Sequence, residues 1–457
     1  MASRAYRRPY RASAATYDTR LRRRRWIVAN LAFAGLLFMI LIGTAPLQDW
    51  VMAGRSGQGD IVNQVLIIGL FLFLFFGNGS RIYLRQLMPL PLGIVILLAY
   101  CALSLTWAVA PWISLRRWVQ TVIIFWMTFR CVRDLGYDRT VKIVRYGLIL
   151  LLVGNYLAVF GTDFGIHTAL PGDESTVVGN WRGLMPHKNI AGAACGFTIL
   201  FLVFDRRDVP RWIAWPTIAA SLVFLNFAES RTSEMILIVA LGAGWLSRLY
   251  SADYRTVIGF FALLCTLFAL QVASLYSGTL REVFNDPSAL TGRGSIWPLL
   301  IEYAQAHPLT GAGYSGFWQV GDNGPIWTLT DNWVARYAGH GHNGYLDLLV
   351  TLGIPGLVLG VVFLVIWPLT RLLLSLSVAP PQRALLIATI AFAAGHNLTE
   401  SSLLTGPAVV QHFLTIAIAL VYVLSEGSEG LHHRLRVRAL RSLRLRSPAA
   451  SRPRMRR

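Results

Sequence analysis

The chain has 457 residues, of which 55% are hydrophobic and only 14% are charged. This composition excludes a soluble globular protein, because apolar runs of about 20 residues, each long enough to cross a bilayer, recur along the sequence. It also excludes an outer-membrane barrel, whose strands alternate polar and apolar residues over about ten positions. The sequence therefore predicts an all-α, polytopic membrane protein.

The formal net charge of +20 comes almost entirely from the two ends of the chain. Residues 1–25 hold nine arginines and residues 431–457 hold ten. Basic tails beside membrane spans indicate cytoplasmic termini and contacts with anionic lipid, so the bilayer is the expected partner and nucleic acid is not. The four cysteines are far apart and show no ligand spacing, so neither disulfides nor a cysteine metal site is expected.

In chain order, the apolar runs predict about twelve spans, and the first is interpreted as an uncleaved signal-anchor. Their approximate limits are 26–43, 61–77, 88–107, 114–131, 142–160, 190–204, 212–228, 232–248, 256–275, 343–368, 384–400 and 407–425. The predicted division is a basic cytoplasmic tail at 1–25, a membrane domain at 26–428 and a second basic cytoplasmic tail at 429–457.

Alternate loops between these spans are rich in arginine, as the positive-inside rule requires when both termini are cytoplasmic. The opposite loops then face outside, and the longest of them, 276–342, lies between spans nine and ten. Loops of this length inside a compact protein are usually functional. The long loop is therefore the first place to look for a site.

Polar side chains concentrate on that outer side, although the topology was assigned from other residues. Arg231 with Glu234, and His396 with Glu400, are spaced to share a helix face. Asp347 is expected roughly 7–8 Å into the tenth span, and ionisable groups there usually face the bundle interior or a wet cavity. The other candidates are Arg182, His187, Lys188, Arg293, His340, His342 and Asn343.

Each candidate also has a purely structural interpretation. Arg231 could extend to the lipid headgroups, and Arg293 could be a solvated loop residue. His187 and Lys188 could be interfacial anchors, Asp347 a helix-packing hydrogen bonder, and Glu400 a helix end. His340 with His342 is a weak metal pattern without neighbouring carboxylates or cysteines in the sequence, so no metal is predicted. His340 is interpreted as a loop residue.

The stretch GAGYSG, residues 311–316, satisfies the glycine spacing of a dinucleotide-binding loop. That fingerprint requires a preceding strand and a following helix, and neither is predicted in an outside loop. Its glycines are therefore interpreted as turn residues, and no cofactor is expected.

The segments GRGSIWPLLIEYAQAHPLTGAGYSGFW and HNGYLDLLVTLGIPG resemble the signature region of the O-antigen ligase and polysaccharide polymerase superfamily. The ligase pattern is His-Asn, nine residues, then Gly-x-x-Gly, which is present from His342 to Gly356. The segment SRTS at 230–233 resembles the arginine motif of the family. MPHKNIAG and HNLTESSLL are more similar to the exopolysaccharide polymerase branch.

The resemblance implies a GT-C-like fold in the bacterial inner membrane, with the active site facing the periplasm. It implies glycan transfer from an undecaprenyl-diphosphate carrier to an acceptor hydroxyl that His342 activates, while Arg231 and Arg293 hold the diphosphate. Arg182, His187, Lys188, Asn343, Asp347 and Glu400 are the expected supporting residues. Flippase, chain-length and export proteins are implied partners.

The chemistry agrees with these roles, because arginine makes bidentate hydrogen bonds to phosphate oxygens and histidine can accept a proton near neutral pH. Direct displacement inverts the anomeric centre, and two arginines in place of a cation make a metal unnecessary. Polymerisation of exopolysaccharide repeat units is the preferred activity, with O-antigen transfer to lipid A-core as the alternative. A lipid-linked oligosaccharide transporter is the alternative of another class, and it would place charges at mid-span.

Overall fold

The computed structural model describes residues 8–44, 60–77, 88–168, 177–250, 293–321, 324–375 and 378–425. Over these residues the all-α prediction is confirmed: the regular structure is helical, and one isolated bridge joins Ile166 to Trp181. The predicted ninth span 256–275, the first part of the long loop and the tail 429–457 lie outside the described residues.

The helices are named in chain order, and their N-termini and C-termini position the site. They are α1 Arg8–Leu41, α2 Ile61–Gly77, α3 Leu92–Leu103, α4 Pro111–Gly161, α5 Lys188–Phe204, α6 Arg211–Ala228, α7 Arg231–Leu249, α8 Trp297–Ala306, α9 Pro325–Leu329, α10 Trp333–Tyr337, α11 Gly344–Val361, α12 Trp367–Leu374, α13 Pro380–His396 and α14 Val409–Ser425.

Four described helical stretches are long and apolar enough to cross a membrane. They are Arg23–Leu41, Pro111–Gly161, Arg231–Leu249 and Gly344–Leu374, and shorter apolar helices such as α5 and α14 accompany them. Length and composition therefore agree with a membrane protein. The count of twelve spans and the GT-C-like arrangement stay predictions.

The predicted fourth and fifth spans, 114–131 and 142–160, are two parts of α4, which is broken only at Gly136 (φ 71°, ψ 178°). The basic segment between them was expected to be a loop, but it is helical. Its charges are paired within the protein: Arg130 lies 3.0 Å from Asp134, and Arg145 lies 3.0 Å from Asp205. Paired side chains let a charged stretch stay in a packed helix.

Helix α11 is kinked at Gly353 (φ 68°), the first glycine of the Gly-x-x-Gly pattern. A Cβ there would lie 2.4 Å from the carbonyl carbon of Leu309, so only glycine fits both the backbone and the contact. The amide of Ile354 then donates to the Pro308 carbonyl at 2.8 Å. The kink is where the long loop docks on the tenth span.

The described part of the long loop is folded rather than irregular. It contains α8, α9 and α10 and has its own apolar cluster, which includes Leu300, Phe317 and Val334. Within it Gly311 (φ 57°) and Gly313 (φ 82°) lie in turns with no strand before them, so the interpretation of GAGYSG as turn glycines is confirmed.

Helix α13 packs along α7 and also contacts α5. The N-terminal ends of α5 and α7 approach closely because Gly192 has no side chain: a Cβ at this position would lie 2.6 Å from Cβ of Ser230. This close packing brings the start of both helices beside the end of α13, where the candidate residues lie.

Candidate functional site

Three helix N-termini meet the segment that follows α13. Asn189 in the first turn of α5 donates to Glu400 at 2.7 Å, and Thr232 in the first turn of α7 bonds Thr399 at 2.8 Å. The amide of Gly344, the first residue of α11, donates to the carbonyl of Glu400 at 2.9 Å. Helix N-termini carry partial positive charge and unpaired N–H groups, so their convergence favours an anion.

Glu400 lies at the centre of this arrangement, in a turn after the last residue of α13. Its Oε1 accepts from Arg293 Nη2 at 2.9 Å and from Asn189 Nδ2 at 2.7 Å. Its Oε2 lies 3.4 Å from Nδ1 of His342. One carboxylate, whose side chain is only 9% exposed, therefore joins the predicted base to a predicted diphosphate-binding arginine.

The surroundings of Glu400 keep it ionised. Burial alone raises the pKa of a carboxyl group, but the adjacent His342, with His340 and His396, outweighs burial and lowers the pKa of Glu400 to about 2. The carboxylate is therefore charged across the physiological range and can act as an acceptor for both His342 and Arg293.

His342 has a left-handed backbone, with φ of 49°. Non-glycine residues in this region cost free energy and cluster at functional sites. The next residue holds the backbone in place: Asn343 is the N-cap of α11, and its Oδ1 accepts from the amides of Tyr345 (3.0 Å) and Leu346 (3.1 Å). Its own amide donates to Ser401 at 3.0 Å. The His-Asn pair thus starts the helix and sets the direction of the histidine.

Asp347 stabilises the loop that carries His342, which is more than the helix-packing role weighed from the sequence. Its carboxylate accepts from the amide of Gly341 at 3.1 and 3.2 Å and from Trp318 Nε1 at 2.7 Å. The Trp318 carbonyl in turn accepts from Arg117 at 2.9 Å. Asp347 therefore connects the histidine loop to the folded long loop.

His340 belongs to the site, although the sequence was interpreted as placing it in the loop only. Its ring centroid lies 4.2 Å from that of His342, and its Nδ1 accepts from the His342 amide at 3.3 Å. Burial, with His342 as the next cause, lowers the pKa of His340 to about 3. A neutral ring at this position adds no positive charge beside the predicted base.

His340, His342 and Glu400 each offer a ligand atom within 4.8 Å of the others, a spacing that could hold a metal ion. Glu400 Oε1 is already used by Arg293 and Asn189, and a guanidinium 2.9 Å away disfavours a second cation. The predicted independence from metal stays a prediction.

Arg231 lies on the rim of the site. Its side chain is 80% exposed and pairs with Glu234 at 3.2 Å, which confirms the predicted i, i+3 contact. The neighbouring Thr232 bonds Thr399, whose carbonyl accepts from Arg293 Nη2 at 2.7 Å. The two predicted diphosphate-binding arginines therefore both adjoin one threonine pair, Arg231 through the chain and Arg293 through a hydrogen bond.

The three basic candidates before α5 separate into different positions. His187 caps α5 by accepting from the Asn189 amide at 3.2 Å, and burial lowers its pKa to about 4. Lys188 Nζ lies 3.4 Å from the carbonyl of Glu229 and is near enough to Glu400 to interact with its charge. Arg182 donates to the Phe164 carbonyl at 2.7 Å and lies over that ring.

Sequence reasoning missed Asn189, Thr399 and Trp318. The available signal for Asn189 was an amide side chain in the first turn of an otherwise apolar helix, directly after His187 and Lys188. No pattern in the sequence marked Trp318, because its role depends on the way in which the long loop folds back on α11.

Comparison with known proteins agrees with this site. A family model described as O-antigen ligase matches residues 216–361, which contain Arg231, Arg293, His342 and Asn343. The superfamily resemblance is thereby confirmed. The exopolysaccharide production protein ExoQ of Rhizobium meliloti (strain 1021) is 25% identical over 273 residues. That match covers 57% of this chain and 60% of ExoQ, so the chain spans less than two thirds of the length of this relative.

Proposed function

We propose that this protein is a membrane glycosyltransferase of the O-antigen ligase and polymerase type. In this proposal it transfers a glycan from an undecaprenyl-diphosphate carrier to an acceptor sugar hydroxyl at the periplasmic face of the inner membrane. The observation that carries the proposal is the single carboxylate of Glu400, which contacts Arg293 and lies 3.4 Å from His342.

His342 is the proposed general base. With Glu400 Oε2 beside Nδ1, a proton on Nδ1 is favoured, and Nε2 is left as the basic nitrogen. The distance of 3.4 Å is longer than an ordinary hydrogen bond, and such contacts often shorten when substrate binds. The acceptor hydroxyl gives its proton to Nε2 as its oxygen attacks the anomeric carbon, and the bond to the diphosphate breaks.

Arg293 and Arg231 are the proposed ligands of the diphosphate. Negative charge grows on the leaving group during bond breakage, and fixed positive charge aimed at it lowers the barrier most. Arg293 is 15% exposed and held by Thr399 and Glu400, whereas Arg231 is 80% exposed and can move to meet a substrate. The N-termini of α5, α7 and α11 add positive potential without a metal ion.

The proposed transfer is a single displacement that inverts the anomeric centre and needs no metal. Glu400 is bound to Arg293 and Asn189, so it is not offered as a nucleophile for a covalent intermediate. Undiminished transfer after chelator treatment is the expected result for metal independence.

Polymerisation of exopolysaccharide repeat units is the preferred activity, because the similarity to ExoQ extends over more than half of the chain. Transfer to lipid A-core is the second candidate, since the matching family model is described as an O-antigen ligase. Flippase, chain-length and export proteins are proposed partners of either activity.

Reconstitution with an undecaprenyl-diphosphate-linked repeat unit, with and without lipid A-core, tests the proposal. A ladder of products without lipid A-core identifies a polymerase, and one adduct that requires lipid A-core identifies a ligase. The variant His342→Ala should insert into the membrane normally and form no product. Product at the wild-type rate from this variant would exclude His342 as the base.

The orientation is tested by labelling single cysteines with a membrane-impermeant maleimide. We expect Ser315→Cys to react from the periplasmic side, and Arg207→Cys to react only after the cells are lysed. The opposite pattern would place the site in the cytoplasm, where a lipid-linked donor would have to be used before it is flipped.

A further inference from the structure

An apolar groove with a volume of about 590 Å³ runs between α4 and α6. On the α4 side large side chains line it, such as Leu157 and Phe160, which are 69% and 76% exposed. On the α6 side it is lined by Pro216, Thr217 and Ala220. The groove exists because these α6 residues are too small to fill the space opposite the larger α4 residues.

Contacts between the elements that line the groove hold its shape. Tyr156 Oη donates to the carbonyl of Ala220 at 2.8 Å and so ties the two helices together. Trp181 stacks on Phe227 with ring centroids 4.5 Å apart and also contacts Phe160. Tryptophan and aromatic neighbours are typical of the depth at which a bilayer meets water, so we expect the groove to lie below the interface and to open towards lipid.

A second, polar cavity of about 510 Å³ continues the groove. Both cavities are lined by Phe160 and Gly161, and the second adds Thr162, Asp163 and Thr168. The whole space is therefore apolar where it lies between α4 and α6 and polar at the end formed by residues 161–168.

The polar cavity lies next to the candidate site. It ends at residues 166–168, and His167 in that segment accepts from the amide of Lys188 at 3.1 Å. Arg182 lies over Phe164 in the same segment. Lys188 begins α5, whose next residue, Asn189, donates to Glu400. Asp163 lines the cavity, whereas the basic residues Arg182 and Lys188 lie beside its lining and contact residues 164 and 167.

We propose that the groove between α4 and α6 binds the isoprenoid tail of the lipid-linked glycan, with its phosphates directed through the polar cavity towards His187 and Lys188. The inference rests on the proposed function, because that function supplies a substrate that is half isoprenoid and half anionic sugar. The apolar groove, the polar cavity and the ammonium group of Lys188 beyond it occur in the same order as the parts of such a molecule.

Binding is tested separately from catalysis with a photoactivatable polyprenyl monophosphate. The full-length protein is placed in nanodiscs of phosphatidylethanolamine and phosphatidylglycerol, irradiated and mapped by mass spectrometry. We expect labels on 149–161 and 216–220, with competition by undecaprenyl phosphate and none by added phosphatidylglycerol. Equal competition by phosphatidylglycerol would mean that an ordinary membrane lipid occupies the groove, and the proposal would be wrong.

A matched pair of variants tests the groove in the assembled enzyme. Ala220→Trp fills the groove, whereas Ala219→Trp adds the same side chain at the neighbouring exposed position of α6, which does not line it. Each methylene kept out of an apolar site weakens binding by roughly fourfold, so displacing one isoprene unit weakens it at least about tenfold. Ala220→Trp should therefore lose photolabelling at least about tenfold, and Ala219→Trp should label like wild type.

Transfer assays extend the same test to turnover. The wild type should prefer a donor with a long isoprenoid tail over a short-tail donor in kcat/KM, and Ala220→Trp should reduce this preference at least about tenfold. An unchanged preference would overturn the proposal. The variant His342→Ala keeps the groove, so it should label fully; labelling without any transfer in wild type would reject the proposed function and keep the lipid site.

Discussion

Replacement of Glu400 by glutamine is the sharpest test of the site, because the two side chains have nearly the same size. Glu400→Gln keeps an oxygen for Asn189 or Arg293 but removes the negative charge that both Arg293 and His342 contact. The substitution therefore separates a charge that orients catalytic groups from a side chain that only fills space.

The expected loss follows from the contacts. Hydrogen bonds to charged groups contribute about 1.5–3 kcal/mol each, and Glu400→Gln weakens the contact to Arg293 and the one to His342. If about half of that total is expressed in the transition state, the barrier rises by roughly 1.5–3 kcal/mol, which lowers kcat by a factor of about 10 to 100. KM should change much less, since Arg293 keeps its charge for the diphosphate.

The assay is single-turnover transfer from the lipid-linked donor, with Glu302→Gln as the control for the same chemical change at an exposed position of α8. Activity within about threefold of wild type for Glu400→Gln would refute the reasoning, because the buried carboxylate would then be an incidental helix end. A fall in both variants would point to a general loss of charge instead.

The low pKa of Glu400 also makes stability depend on pH. A carboxyl group whose folded pKa is held at about 2, below its ordinary value of 4.5, stabilises the fold above that ordinary value and loses the contribution as pH falls towards 2. Thermal unfolding in detergent should therefore show a decrease between pH 4.5 and 2 that is smaller in Glu400→Gln. Identical pH profiles for the two proteins would contradict the account of the pKa.

Three further substitutions test neighbouring parts of the site. Arg293→Lys should lower kcat by at least about tenfold, because a single ammonium cannot hold both Thr399 and a phosphate fork; wild-type kcat would argue for a solvated arginine. Asp347→Asn should lower kcat by about tenfold with KM nearly unchanged, since it weakens the contact to the histidine loop; a change in KM alone would argue against a positioning role. Gly353→Ala should destabilise the fold by at least about 1–2 kcal/mol, measured by thermal unfolding, because the positive φ and the close Leu309 backbone both oppose a Cβ; an unchanged transition would show that the kink is not required.

The sequence was sufficient for the all-α class and for most helix positions, because hydrophobic length is a local property. It failed where tertiary contacts decide the outcome. The basic stretch inside α4 was expected to be a loop. Asp134 is only four residues from its partner Arg130, but nothing local shows that the distant Asp205 pairs with Arg145. The long loop was expected to be functional because of its length, but its length gave no sign that its apolar residues form a cluster that packs against α11.

The candidate site was also predictable only in part, because its residues could be placed on one side of the membrane but their contacts could not be predicted. His342, Arg293 and Glu400 were identified because they lie on one side of the predicted topology, and topology can be deduced from arginine counts. Their pairing could not be deduced, because Arg293 and Glu400 are separated by more than one hundred residues. Asn189 and His340 show most clearly what the sequence could not predict. Asn189 contacts the distant Glu400, and His340 contacts His342, whose backbone is strained.

The position of Glu400 also answers a physical problem that the proposed reaction creates. A site for a diphosphate needs fixed positive charge, and here three helix N-termini and Arg293 supply it in a largely buried place. Without a substrate such charge would repel itself and would be costly to bury. In the proposed mechanism Glu400 compensates this charge before substrate binds. When a diphosphate binds, Arg293 can use its remaining donors on the phosphate while Glu400 continues to orient His342. The proposed reaction thus gives the same carboxylate a role in stability before binding and in catalysis after it.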